Sequence, residues 1–226
     1  FALDAGSERS YSGTGTTSYN IINKETGTLN NNVSFDSTNG GFFEFDGVDD
    51  YIEFADNDDY SFTDAVATWE AWVRPTGNAG VLEHNIMCKA NYAFNTREYQ
   101  MQVRYSSGIY YFYLATRHQG VGAWTGIGTS STSAINVNEW YHILVTSDGS
   151  GNAQMYIDSV LRQSVTNHNT TMANLGAPLV VGATINGTSP IQEFVGDISI
   201  CRLYKKHFSQ AEVLQNYNAQ KSRFGL

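Results

Sequence analysis

The sequence predicts an all-β sandwich closed by one short C-terminal helix. Three observations carry the prediction: apolar–polar alternation recurs in short runs, turn residues punctuate those runs, and only one segment has a helical period. Gly supplies 21 and Asn 20 of the 226 residues, and aromatics make up 13%, so turn formers and residues suited to pleated surfaces are both abundant.

Along the chain, Phe43, Phe45 and Tyr51-Ile52-Glu53-Phe54 flank Asp46-Gly47-Val48-Asp49-Asp50, predicting two strands and a tight turn between Phe42 and Phe54. Thr68-Trp69-Glu70-Ala71-Trp72-Val73 is a strand stopped by Pro75-Thr76-Gly77. Residues 99–105 and 109–115 flank Ser106-Ser107-Gly108, a hairpin signal, and residues 140–147 and 153–157 flank a second turn, Asp148-Gly149-Ser150-Gly151-Asn152. Leu179-Val180-Val181 and residues 198–204 are further strands, separated by a polar loop over 184–190. Ser209 starts the helix as its cap, with Glu212 as capping-box partner; Val213, Leu214 and Tyr217 form the apolar stripe expected to plug one end of the sandwich.

The length suits one large β-domain, and no repeat of 20–50 residues or linker-like break divides it, so a single domain over residues 1–226 is expected. The chain opens on Phe1 without a charged and apolar leader, the expected form of a mature product or a segment excised from something longer. Thirteen Lys and Arg against 22 Asp and Glu give a net charge of −9, the wrong sign for neutralising phosphates, which argues against nucleic acid and anionic membranes. No apolar run approaches the roughly 20 residues that span a bilayer, so no membrane insertion is expected. Cys88 and Cys201 are too few for a disulfide framework; Cys201 has core parity with Leu203, and both are expected to be buried thiols.

Several segments resemble the laminin-G-like jelly rolls of the concanavalin A-like lectin/glucanase superfamily. They are Phe45-Asp46-Gly47-Val48-Asp49-Asp50-Tyr51-Ile52, Trp69-Glu70-Ala71-Trp72-Val73-Arg74-Pro75, Trp140 through Gly149, Met155-Tyr156-Ile157-Asp158 and Arg202-Leu203-Tyr204. The opening Leu3-Asp4-Ala5-Gly6 and the ending Asn216-Tyr217-Asn218-Ala219 through Leu226 look like the form found in bacteriophage virion proteins and marine bacterial surface proteins. The resemblance implies a two-sheet antiparallel jelly-roll sandwich used mostly for glycan or protein recognition and sometimes elaborated into glucanases. Fold alone does not decide among these.

Glucanases of the superfamily carry Glu-x-Asp-x-x-Glu on one strand, because a retaining mechanism needs two carboxyls about 5 Å apart. The nearest match, Glu44-Phe45-Asp46-Gly47-Val48-Asp49, ends in Asp and runs into the predicted turn, so Glu44 and Asp49 should lie on different strands. His84, His118, His142, His168 and His207 form no metal or nucleophile spacing; His142 matches a family strand position and is expected to be hydrogen-bonded at the sheet. Gly120 through Gly126 is a glycine-rich loop that misses a dinucleotide fingerprint by one position. No catalytic residues and no enzymatic activity are expected.

Relatives often hold a structural calcium through an Asp on the last core strand and main-chain carbonyls. The equivalent position here is Ser199, with Asp197 two residues earlier, and the family's N-terminal Asp is replaced by Asn20. Asp56-Asn57-Asp58-Asp59 lacks the spacing of an EF-hand loop. The expectation is no cofactor, with calcium the one candidate ion.

Recognition is better supported. In 99–105 the alternation sends Tyr99, Met101, Val103 and Tyr105 to one face and Gln100, Gln102 and Arg104 to the other. Phe112 and Leu114 match apolar family positions on the partner strand, so Tyr111 and Tyr113 should share the outer face with the amides and the arginine. Aromatic rings beside fixed polar donors are what a sugar requires. The plainer alternatives are a solvent face or a subunit contact. Trp124, between glycines, either stacks on a ligand or tucks into the sandwich edge; Trp69, Trp72 and Trp140 fall in strand motifs and are expected to be structural. Tyr92, Gln100, Gln102, Arg104, Tyr111, Tyr113, Arg117, His118 and Trp124 are the candidate glycan-binding residues. The expected function is lectin-like attachment to cell-surface or environmental glycans from a virion surface or a secreted bacterial protein. The competing expectation is a virion structural or decoration protein that contacts only other virion proteins or like subunits.

Overall fold

The structure is a computed structural model that describes residues 1–77, 80, 82–120, 122–129 and 134–226; Val121 of the glycine-rich loop lies outside them. Among the described residues, the strands form one sheet of eight and one of ten, packed face to face. In spatial order the first sheet runs Val160–Val165, Ala153–Ile157, Tyr141–Asp148, Val66–Pro75, Val195–Tyr204, Phe42–Asp46 and Ser34–Asp36, with Ala2–Asp4 also paired to Val195–Tyr204. The second runs Trp124–Gly128, Ile109–Arg117, Thr96–Ser106, Glu83–Asn91, Leu179–Val181, Tyr51–Phe54, Thr26–Asn30 and Thr17–Tyr19. Neighbours along both paths are antiparallel.

Period-two alternation builds the core. Phe43, Phe45, Trp69, Ala71, Val73, Ile143, Val145 and Met155 from the first sheet meet Ile52, Phe54, Tyr99, Met101, Val103, Phe112 and Leu114 from the second in one buried cluster. Each large side chain taken fully from water contributes about 1.5–3 kcal/mol. The hairpin of Thr96–Ser106 and Ile109–Arg117 turns through Ser107 (φ 53°) and Gly108 (φ 84°), the pair of positive φ values that matches strand twist in a two-residue loop.

Three expectations change. Phe42–Asp46 and Tyr51–Phe54 are strands, but they lie in different sheets, so the turn between them crosses the sandwich edge. Residues 184–190, expected as loop, hold a small hairpin of Thr184–Asn186 and Ser189–Ile191 attached to the second sheet. The helix, Gln210–Gln220, has the expected capping box at Ser209 and Glu212. It lies, however, on the outer face of the first sheet instead of at an end. Val213 packs with Leu144, Tyr156 and Phe208, while Tyr217 stacks on Trp72 at 5.8 Å. The reason is that this outer face is itself apolar and needs a cover. Leu214 points away from it and is 47% exposed.

Beneath the helix tail, Glu70 and His142 are both fully buried, with Oε1 and Nε2 2.9 Å apart. The other Glu70 oxygen accepts from Tyr204 (2.7 Å) and Asn216 (3.1 Å). Burial pushes the Glu70 carboxyl up, but the hydrogen bond and charge of His142, with Arg202 beyond, overcome it and hold it below its usual range. His142 is thus committed to clamping helix and sheet together.

Candidate functional site

The outer surface of the second sheet carries the groove described below. On Tyr51–Phe54, Ile52 and Phe54 are buried in the core, so Tyr51 and Glu53 face outward. Register aligns Thr28, Glu53, Val180, Cys88, Gln100, Ala115 and Gly126 in one row across the sheet. The hairpin of residues 184–191 lies across the middle of this face. Ala183 and Ile185 close over Cys88, Ala90 and Val180, and Asn91 exchanges two hydrogen bonds with the Gly187 backbone (3.0 and 3.1 Å). The outer face is thereby divided in two.

On one side lies a groove of about 870 Å³ whose lining includes Thr28, Asn30, Tyr51, Glu53, Phe94 and Ile185. Phe94 stands on its rim, 70% exposed. Asp56, also at the groove, is tied to the fully buried Lys89 (2.5 Å), which Glu98 also holds (2.8 Å). Glu53 has no such tie, and burial pushes its carboxyl above the usual range. Among the described residues, no Lys, Arg or His lines the groove. Sequence reasoning used Tyr51 and Glu53 only as fold markers. The signal that finds them is the same alternation, applied to the outer half of that strand.

On the other side are the residues expected to bind sugar. Tyr111, Tyr113, Gln102 and Arg104 do share the outer face, with Phe112 and Val103 turned inward. The two glutamines are nonetheless inaccessible, Gln100 being 4% and Gln102 1% exposed. The Gln100 amide donates to Gln192 (3.2 Å) and Asn85 (3.4 Å), and that of Gln102 to Asn85 (3.3 Å). Their donors are spent on Asn85 and, for Gln100, on Gln192, which also accepts from Asn85 and follows the hairpin that the sequence read as polar loop. Tyr113 is engaged too: its ring packs on Gly126 and Gly128, where a Cβ would clash, and the Arg104 guanidinium stacks 3.7 Å from its centroid while pairing with Glu83 (2.8 Å).

Tyr92, Arg117 and Trp124 do converge, around a residue not anticipated. Arg97 sits 4.6 Å from the Tyr92 ring centroid and 5.6 Å from that of Trp124. Asn95 gathers both arginines, accepting from Arg97 on its side chain (3.1 Å) and from Arg117 on its carbonyl (2.7 Å). A register shift between Lys89 and Ala90 turns Arg97 outward, against simple alternation. Trp124 is half-buried at the start of the edge strand, opposite Arg117. Tyr111 is half-buried opposite Arg104, and His118 lies apart, bonded to the adjacent Gln119 carbonyl (2.7 Å).

Glu44 and Asp49, expected on two strands, lie instead on a strand and in the turn after it, and both line one small cavity. Glu44 lies on Phe42–Asp46 and accepts from Ser34 (2.5 Å), while Asp49 sits in the turn beyond that strand. Asp46, Asp49 and Asp50 bring one oxygen each within 4.8 Å of one another, the one grouping among the described residues with ligand atoms close enough for a cation. Asp50 is the buried member, and burial pushes its carboxyl up to about 6. The calcium position implied by the family does not fit a metal here. Ser199 Oγ and the Gly41 carbonyl are taken by Arg223 Nη2 (2.7 and 2.9 Å), Asp4 Oδ1 by Nη1 (2.9 Å) and the Asn39 carbonyl by Nε (2.9 Å). A guanidinium thus occupies the oxygens that a calcium ion, needing six to eight, would have to recruit. Asp197 is paired with Arg74 (2.5 Å), and Asn20 is bound by the Ala2 and Ile22 amides.

No curated protein sequence matches the chain. Among solved structures, it is similar to the receptor-binding domain of botulinum neurotoxin D at 13% identity and a TM-score of 0.70, covering 97% of this chain and 52% of that one. It is similar also to the binding domain of Paraclostridial Mosquitocidal Protein 1, at 14% identity and a TM-score of 0.67, covering 88% and 48%. The chain spans about half the length of these toxin domains. Domain 4 of a GH43 extracellular arabinanase from Geobacillus stearothermophilus, solved with arabinotriose, matches over 84% of this chain and 86% of its own at 17% identity and a TM-score of 0.59. At such identities the likeness speaks for the fold, and these relatives are binding or accessory domains. Residues 46–214 match the laminin-G type of the concanavalin A-like lectin/glucanases superfamily, and together with the two-sheet sandwich this makes the chain a member of that family.

Proposed function

We propose that the chain is a non-enzymatic glycan-binding module whose principal site is the groove beside the covering hairpin. The observation that carries this reading is the groove itself: about 870 Å³, open, with Tyr51 and the rim ring Phe94 beside Asn30, Thr28 and Glu53. Such a site offers flat apolar faces for a pyranose and hydrogen-bonding groups for its hydroxyls. The toxin binding domains and the arabinotriose-bound domain among its structural relatives support a binding role. The cluster of Tyr92, Arg117 and Trp124 across the hairpin extends the same face and would meet a longer glycan. A carrier that displays it outside the cell, a virion or a secreted bacterial protein, suits such attachment.

The test is titration calorimetry against oligosaccharides chosen from a glycan array. Tyr51→Ala and Phe94→Ala should each weaken binding about tenfold, or roughly 1.4 kcal/mol, with a smaller loss for Trp124→Ala. Silence across the array, together with concentration-dependent self-association, would overturn the proposal in favour of an assembly role.

A further inference from the structure

Resting on the glycan-binding reading, the chemistry of the groove narrows the kind of sugar. Among the described residues the Glu53 carboxylate meets neither a hydrogen-bond donor nor a cation, its backbone alone being paired in the sheet. It stands half-buried in the sheet's outer row between Thr28 and Val180, at the floor of the groove. A carboxylate in that position has lost part of its hydration with nothing to replace it, so an arriving positive charge recovers energy that a neutral ligand does not. The second acid at the groove, Asp56, differs in that Lys89, shared with Glu98, already hydrogen-bonds its carboxylate.

Aromatic faces sharpen the preference. Tyr51 lies two residues from Glu53 on the same strand face, and Phe94 stands exposed on the rim. Rings beside a carboxylate are the combination that recognises organic cations, since the negative ring face attracts ammonium groups. Among the described residues, nothing in the lining repels such a group, because no Lys, Arg or His contributes to it, and the net charge of −9 disfavours anions further. Across the hairpin the signs reverse: Arg97 and Arg117 gather on Asn95 without a carboxylate partner among the described residues. An acidic sugar would find its complement there and not in the groove.

We infer that the groove selects a saccharide bearing a free primary amine, a hexosamine unit whose ammonium pairs with Glu53 while its ring face lies on Tyr51 or Phe94. Calorimetry with three oligosaccharides of equal length tests this: a glucosamine oligomer, its N-acetylated counterpart and a galacturonate oligomer, at about pH 6 where the amine is charged. The amine oligomer should bind at least about tenfold more tightly than the acetylated one, and the uronate most weakly in the Tyr51- and Phe94-dependent mode. That ratio should shrink toward one in Glu53→Gln and, in the parent protein, as salt is raised. Equal affinities for the amine and acetylated oligomers overturn the inference and leave the module reading intact. A tetralysine peptide binding as well as the amine sugar overturns the saccharide assignment. No binding to any of the three overturns the inference, while the array result decides the reading beneath it.

Discussion

His168 shows how much one side chain can contribute to the response to acid. It is 5% exposed, with Nε2 3.1 Å from Thr116 Oγ1 and Nδ1 meeting no partner among the described residues. Burial lowers its pKa to about 4 from the 6.5 of a free imidazole. Between those values the unfolded chain binds the proton and the folded chain does not, so stability falls as pH falls from 6.5 toward 4, by about 3 kcal/mol at most. His168→Gln should flatten the melting temperature against pH in that window, and a variant with the parent's slope would refute the assignment. The same scale shows where sequence reading succeeds and fails at the site. Alternation places Tyr111 and Tyr113 outward and Phe112 inward because parity is local. It cannot show that the Gln100 amide is already taken, because its partner Gln192 is 92 residues away in sequence.

Among elements, the helix and the tail behind it do what the sequence assigned to the core alone. Phe224 stacks on Trp72 at 4.3 Å and meets Trp140 at 4.7 Å, closing a second apolar cluster outside the first sheet. Phe224→Ala should therefore cost about 3–5 kcal/mol in urea unfolding and alter the near-ultraviolet signal of both tryptophans. Leu214→Ala, on the exposed side of the helix, should stay within about 0.5 kcal/mol of the parent, which separates loss of packing from loss of helix propensity. The helix was legible because its capping box is a contiguous signal. Its docking place was not, since Trp72, Leu144 and Ile200 read equally well as part of a two-sided buried strand. The hairpin of 184–191 escaped for the opposite reason: its strands are three residues each, too short for alternation to register.

For the molecule as a whole, the sandwich was readable because the inward face of both sheets is apolar at every second residue, repeated over many strands. The site was less so, because it depends on which strands from distant parts of the chain become neighbours: Tyr51–Phe54 and Glu83–Asn91 are joined only through Leu179–Val181. The two cysteines illustrate the consequence of burial on this scale. Cys88 lies under the covering hairpin and Cys201 in the main core, both free, and burial pushes the Cys88 thiol up to about 12 and Cys201 higher still. Thiolate is the reactive form, so iodoacetamide at pH 8 should leave both unlabelled in the native protein and label both in denaturant. Native-state modification of either, seen by mass spectrometry, would contradict the packing described.

Arg223 anchors the last turn of the chain to Asp4, Asn39, Gly41 and Ser199. Because that positive charge is covalently part of the polypeptide, its local concentration is fixed by tether length and owes nothing to the surrounding medium. A clasp of this kind does not dissociate on dilution, competes with no chelator and reports nothing about ambient mineral content. The seam it closes therefore recruits no dissolved ion.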